Sequence, residues 1–93
     1  MKKNDFSFRV SIEIENDTGR VLAVYLQVRE GRSATVKEYA DGKVLADYDR
    51  HGTLLGIEIL SPCDARVLDK IAVQAQVKRF VRNNVPRDML VAA

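Results

Sequence analysis

The feature that most constrains the fold is an alternation of apolar and polar residues near the start of the chain. Apolar side chains occupy every second position from Phe6 to Ile14, and polar side chains lie between them from Ser7 to Glu15. Because successive side chains of a strand point to opposite faces of its sheet, this period of two predicts a strand with one buried and one solvated face. Such strands are typical of antiparallel sheets.

Turn residues divide the next part of the chain into four more short strands. A hairpin turn at 16–19 leads into a strand over 20–29 that is apolar on both faces. Further strands are predicted over 34–39, 43–49 and 53–60, separated by Asp41-Gly42 and by a turn at 49–52. Five strands with short connections predict an antiparallel β-meander over residues 6–60. Gly19 and Gly52 end two of the turns, and we expect both to have positive φ.

A helical segment is predicted over residues 62–84, with Ser61 as its N-cap and Pro62 in its first turn, followed by a tail over 85–93. Its apolar side chains form two stripes on nearly opposite sides of a helix. One stripe is Leu68, Ile71, Ala72 and Ala75, and the other is Val73, Val77, Phe80 and Val81. Because one straight helix cannot place both stripes on one sheet, either it breaks near Val73 or its second half packs against another surface, such as a second copy. The predicted fold class is α+β, with residues 1–93 forming one domain.

Length and composition limit the classes of function. A chain of 93 residues builds only a small core, and oligomerisation often compensates for this. One cysteine, Cys63, and one histidine, His51, exclude an intrachain disulfide and a zinc site built from thiolates and imidazoles. We therefore expect no cofactor. No segment resembles a signal peptide or a membrane span, so we expect a cytoplasmic protein with no membrane partner.

Positive charge is concentrated in the C-terminal part of the chain, although the net charge is only +2. Residues 70–87 contain five basic residues and no acidic one. We interpret them as a solvated helix face, because Lys and Arg complement the dipole at a helix C-terminus. No helix-turn-helix pattern or wet aromatic platform accompanies them, so we expect no sequence-specific nucleic-acid binding.

Asp47, Asp49 and Glu58 are the carboxylates that lie closest together in the predicted sheet. Such a group performs acid–base catalysis or binds Mg²⁺ or Ca²⁺ in other proteins. The structural alternative is that Asp49 caps its turn, Asp47 faces solvent, and Glu58 is anchored by an Arg or Lys lying over Gly56. We favour the structural interpretation and predict that the chain is not an enzyme. An enzyme or metal site at these three carboxylates is the alternative.

Two stretches of the chain resemble a family of short bacterial proteins known as domain of unknown function 2283. They are Ala23-Val24-Tyr25-Leu26 and the string from Asp47 to Leu60. The motif positions in this sequence are Asp47, Tyr48, Asp49, Gly52, Gly56 and Glu58. The resemblance implies a small meander with a C-terminal helix and carries no catalytic signature. Some members look like partners of small toxin-like proteins, which implies an antitoxin-type role.

From these observations we expect a non-catalytic binding or scaffold protein that acts as a homodimer. The predicted dimer interface consists of Val73, Val77, Phe80 and Val81. A further expectation is a partner for this dimer: a small basic protein bound by the acidic meander, or DNA bound by the basic C-terminal segment.

Overall fold

A computed structural model describes residues 5–91 and shows one antiparallel sheet covered by helices on one face. The start of the chain and residues 92–93 of the predicted tail lie outside the described residues. The strands are β1 (Arg9–Ile14), β2 (Val21–Gln27), β3 (Thr35–Tyr39), β4 (Val44–Tyr48) and β5 (Leu54–Ile59). The helices are α1 (Ala65–Ile71) and α2 (Ala75–Asn84), followed by a 3₁₀ turn over Arg87–Met89.

The five strands lie in the order β1-β2-β5-β4-β3, and every neighbouring pair is antiparallel. The predicted α+β class with a five-stranded antiparallel sheet and C-terminal helix is confirmed. The strand order departs at one point from a sheet in which each strand pairs with the next one in sequence: β2 pairs with β5 and not with β3. The apolar β5 is thereby buried in the centre, whereas β3, which contains Lys37 and Glu38, lies at an edge.

The core lies between one face of the sheet and the two helices. Cross-strand pairs share a face, so Val24 and Ile59 point to the same side as Val44. The side chains that form this core are, from the sheet, Val24, Leu26, Val44, Ala46, Ile57 and Ile59, and, from the helices, Leu68, Ile71, Val77 and Val81. Within residues 5–91, no helix covers the opposite face of the sheet, which we call the open face.

The predicted helix is broken between Ile71 and Ala75. Ala72 has φ −90° and ψ 82°, and Gln74 has φ −74° and ψ 140°, so both lie outside the helical region. The break rotates α2 relative to α1 and lets residues from both apolar stripes face the same sheet. A salt bridge of 3.0 Å between Arg82 and Asp69 joins the two helices.

The start of α1 corrects the predicted cap. Asp64, and not Ser61, is the N-cap, and its carboxylate accepts a hydrogen bond of 2.8 Å from the backbone N–H of Arg66. Residues 61–63 precede the helix, and Cys63 forms an isolated parallel bridge with Leu90 of the C-terminal segment. The bonds run from Cys63 N to Met89 O and from Val91 N to Cys63 O.

The two glycine turns have the predicted backbone. Gly19 has φ +72° and Gly52 has φ +79°, which confirms the expected left-handed conformation at both positions. The helices formed by residues 5–91 are all too short or too polar to cross a lipid bilayer.

Candidate functional site

The turn between β4 and β5 is organised by the carboxylate of Asp49. One oxygen, Oδ1, accepts hydrogen bonds from the backbone N–H of His51 at 2.8 Å and of Thr53 at 2.9 Å. The bond from Thr53 is the main reason that the pKa of Asp49 is lowered, and the bond from His51 adds to it. Asp49 therefore acts as the turn cap that its position in the sequence suggested.

Three polar groups of the family-like motif meet on the open face of the sheet. Tyr25 of β2 lies across Gly56 of β5, so closely that a β-carbon at Gly56 would overlap the phenol. Asp47 is the cross-strand neighbour of Gly56, and Glu58 is that of Tyr25. Burial, followed by the charges of Asp47 and Glu58, raises the pKa of the Tyr25 phenol. The raised pKa keeps the Tyr25 phenol protonated at neutral pH beside these two carboxylates.

Glu58 does not have the basic partner that the sequence suggested. Among residues 5–91, neither a hydrogen bond nor a salt bridge involves its carboxylate, and Tyr25, not Arg or Lys, fills the space over Gly56. The reason is that Glu58 lies on the open face, where it is only half-buried and water can solvate it.

The geometry of β4 separates Asp49 from the other two acidic residues of the motif, Asp47 and Glu58. A register shift between Asp47 and Tyr48 interrupts the alternation, and Asp49 lies beyond the strand in the turn. Asp47 instead accepts a hydrogen bond from the hydroxyl of Ser33. Across residues 5–91, no group of three or more His, Cys, Asp or Glu side chains is close enough to hold a metal ion.

The chemistry-bearing side chain that the sequence did not reveal is Arg29, which follows β2. It is only 6% exposed, and its guanidinium lies 4.6 Å from the ring centroid of Phe6. Nη1 donates to the carbonyl oxygen of Leu54 at 3.1 Å, and Nη2 donates to Oε1 of Gln74 at 2.8 Å. Nε is buried without a hydrogen-bond partner. An arginine at the end of an apolar strand is ordinary in sequence, and no pattern distinguishes this one.

Arg29 lines a cavity of about 440 Å³ between the β4–β5 turn and the break between the helices. Its lining includes Tyr48 and Gly52 from the sheet side and Lys70 and Gln74 from the helical segment, while Ile71 and Val77 contribute apolar surface. Two motif positions, Tyr48 and Gly52, thus border the same cavity. The lining contains two cations and, within the described residues, no acidic side chain.

His51 and Cys63 occupy surroundings without catalytic geometry. His51 is exposed in its turn, and its Nε2 accepts a hydrogen bond of 3.3 Å from Nε of Arg50. Cys63 is buried, and burial raises the pKa of its thiol, which disfavours the nucleophilic thiolate.

The predicted dimer interface requires a correction. Val77 and Val81 are each only 2% exposed because they pack in the core of their own chain. Phe80 is half-buried and stacks on Phe8 with ring centroids 4.4 Å apart. Val73 is 75% exposed, and it alone of the four is mainly exposed. Because the helix is broken, most of the second apolar stripe packs inside its own chain. These four residues therefore do not form one outward-facing surface.

Exposed apolar side chains instead lie along the edge strand β1. Ile12 is 46% exposed although its neighbour on β2, Val24, is fully buried on the same face. Ile14 is 51% exposed, and Phe8, just before the strand, is partly exposed as well. The helix layer therefore covers the centre of the sheet and leaves this edge half-covered.

Comparison with known proteins identifies the central part of the chain. No curated protein and no solved structure gives a significant match. Residues 21–61, which run from the start of β2 past the end of β5, match the family described as "Protein of unknown function (DUF2283)". The family resemblance predicted from the Tyr25 and Asp47–Leu60 motifs is thereby confirmed over the β2–β5 segment of the chain.

Proposed function

We propose that this protein is a cytoplasmic, non-catalytic binding module that acts as a homodimer joined along β1. The observation that supports the proposal is the half-covered edge: β1 has a strand on one side only and exposes Ile12 and Ile14. An edge strand offers unpaired backbone N–H and C=O groups, which a second strand satisfies. Exposed apolar side chains beside such an edge are typical of an interaction surface.

The charges of β1 are complementary to those of a second, antiparallel β1. Pairing centred on Ser11 places Arg9 of one chain opposite Glu13 of the other, and the two-fold axis repeats the pair. The same register places Val10 opposite Ile12. Opposite charges in facing positions stabilise cross-strand pairs, whereas like charges destabilise them. The sequence of β1 therefore favours pairing with itself.

The other edge of the sheet is less suited to pairing. β3 carries adjacent charges at Lys37 and Glu38, and charged side chains commonly protect edge strands against association. Dimerisation at β1 extends both small sheets into one and covers apolar surface that a single chain leaves in water. This is the usual remedy for a domain with a small core.

Sedimentation velocity on charge and apolar variants tests the interface. Ile12→Lys should shift the protein towards the monomer, because it places two cations near the two-fold axis. The matched control is Val36→Lys on the exposed edge strand β3, which should leave the dimer intact. If both variants are monomeric, or if both remain dimeric, β1 is not the interface.

A charge swap tests independently the register in which the two β1 strands of the dimer pair. Arg9→Glu should weaken the dimer because it faces Glu13 of the second chain, and so should Glu13→Arg. The double variant Arg9→Glu/Glu13→Arg should restore association, since it exchanges the signs but keeps the pairs. A double variant weaker than both single variants would contradict the antiparallel register.

An antitoxin-type role is a second candidate, favoured by the charge of the open face. Glu38, Asp47 and Glu58 project from this face, as their cross-strand pairing shows. We propose that it binds a small basic protein. Co-purification with small basic proteins encoded beside its gene tests the role, with Glu38→Lys/Glu58→Lys as the binding-deficient variant. Glu30→Lys, in the β2–β3 connection, is the control and should bind normally.

A further inference from the structure

We infer that the cavity beside Arg29 binds a small organic anion with an apolar body. The proposal concerns a site away from β1 and is independent of dimerisation. It begins from an energetic imbalance: Arg29 is only 6% exposed, and no carboxylate forms a salt bridge with it within the described residues. Among residues 5–91, the salt bridges are Arg66–Asp64 and Arg82–Asp69, and neither includes Arg29. Burying a charge is costly unless it is paired.

The hydrogen bonds that Arg29 makes do not neutralise its charge. Its acceptors, the carbonyl of Leu54 and the side-chain amide of Gln74, are uncharged. A guanidinium has five N–H donors, so three have no acceptor within the described residues, including the one on Nε. The nearby carboxylate of Asp49 is already bonded to its own turn, although the charge of Arg29 contributes to the lowered pKa of Asp49.

Two further features give the cavity a positive potential. Lys70, at the end of α1, is a second cationic residue in its lining. The cavity also borders the start of α2, where Gln74 makes no capping hydrogen bond to the helix and the first turn has no acidic residue. The first N–H groups of a helix attract negative charge when no side chain caps them. Arg29, Lys70 and the α2 N-terminus therefore act together on one cavity.

The size and lining of the cavity indicate what kind of anion fits. A volume of about 440 Å³ lies in the range of small-molecule sites, which span roughly 300–1,000 Å³. Leu54, Ile71, Val73 and Val77 contribute apolar surface beside the cations. A carboxylate or phosphate head with a short hydrocarbon body matches both parts. A bare inorganic anion would leave the apolar wall in water.

Amide NMR titration of the whole protein tests the site. The probes are sodium hexanoate and hexyl phosphate, with hexanamide as the uncharged probe of similar shape. We expect either anion to give saturable shifts at Gly52, Lys70, Gln74 and Val77, and the tighter of the two identifies the head group. Hexanamide should give none at the same concentrations. No saturable shift from either anion, or equal shifts from hexanamide, would overturn the proposal.

Three variants test whether the anion binds in the cavity or elsewhere on the surface. Lys70→Gln should weaken binding of the tighter anion by about two- to fivefold, the effect of one solvent-exposed charge. Lys43→Gln removes an exposed lysine outside the cavity and should leave the dissociation constant unchanged. Arg29→Gln should abolish binding. If Arg29→Gln does not fold, the comparison of Lys70→Gln with Lys43→Gln still decides, because equal affinities in these two variants would contradict the site.

Discussion

The phenol ring of Tyr25 on β2 lies directly over the backbone of Gly56 on β5. A β-carbon at position 56 would overlap the Tyr25 hydroxyl and would also stand 3.1 Å from the carbonyl oxygen of Leu26. Glycine is therefore required here by the close approach of a side chain, not by its backbone angles. The pair crosses the boundary between the β1–β2 hairpin and the β3–β4–β5 part of the sheet.

Gly56→Ala should destabilise the protein by about 1–3 kcal/mol, the usual cost of overpacking. The penalty should be smaller in a Tyr25→Ala background, because the main obstacle is then absent. Urea unfolding of the two single variants and the double variant measures this coupling. Equal penalties in both backgrounds would show that Tyr25 does not occupy the space over Gly56.

The ionisation of Tyr25 should respond to the carboxylates beside it. Its pKa lies above the ordinary value of 10.0, first through burial and then through Asp47 and Glu58. Asp47→Asn should lower this pKa towards 10.0, and carbon NMR of labelled tyrosine rings measures it separately from those of Tyr39 and Tyr48. An unchanged pKa would mean that Asp47 lies too far away to act on the phenol.

Alkaline pH should destabilise the fold through its tyrosines. Burial, and then the contact with Tyr39, raises the pKa of Tyr48 to about 12. The unfolded chain therefore loses its phenol protons at lower pH than the folded chain. The resulting stabilisation is complete below pH 10 and is lost as the pH rises towards 12. Melting temperatures across this range should fall, and the fall should be smaller in Tyr48→Phe.

Glu58→Gln should change the free energy of unfolding by no more than about 0.5 kcal/mol, the usual range for a surface substitution. The reason is that Glu58 has no bonded partner within residues 5–91 to lose. Thermal unfolding with and without Mg²⁺ or Ca²⁺ should also give the same midpoint for wild type and variant. A saturable, Glu58-dependent rise with either cation would instead support the metal site considered from the sequence.

Gly52→Val should destabilise the protein by about 1 kcal/mol or more, because valine is strained at the φ of +79° observed there. Nothing lies within 4 Å of a β-carbon at this position, so the loss reflects backbone strain alone. Gly52→Asn is the matched control and should cost less, since asparagine tolerates left-handed geometry. Comparable melting temperatures for Gly52→Val and wild type would contradict this account.

Local patterns in the sequence predicted most of the fold. Three of these patterns depend only on neighbouring residues, and each gave a correct prediction. The alternation predicted β1, the glycines at 19 and 52 predicted positive φ in their turns, and the motif predicted the family match. The β2–β5 pairing was not predictable in this way. The pairing depends on which strand is stabilised most by burial in the centre of the sheet. That choice is made between strands that are far apart in the sequence.

The candidate sites were predicted less completely, for physical reasons that differ between residues. Asp49 was recognised as a turn cap because its hydrogen bonds reach only to His51 and Thr53. Arg29 was missed because its acceptors, Leu54 and Gln74, come from distant parts of the chain. The two apolar stripes allowed either a break near Val73, which the structure confirms, or a dimer interface at Val77 and Val81, and no single breaker residue at 72–74 decided between them in the sequence.

The central proposal is tested most directly by light scattering coupled to size-exclusion chromatography of the wild-type protein at micromolar concentrations. One chain has a mass of 10.5 kDa, and the account predicts a species of twice that mass that dissociates on dilution. A mass of 10.5 kDa at every concentration up to the solubility limit would contradict a homodimer joined along β1.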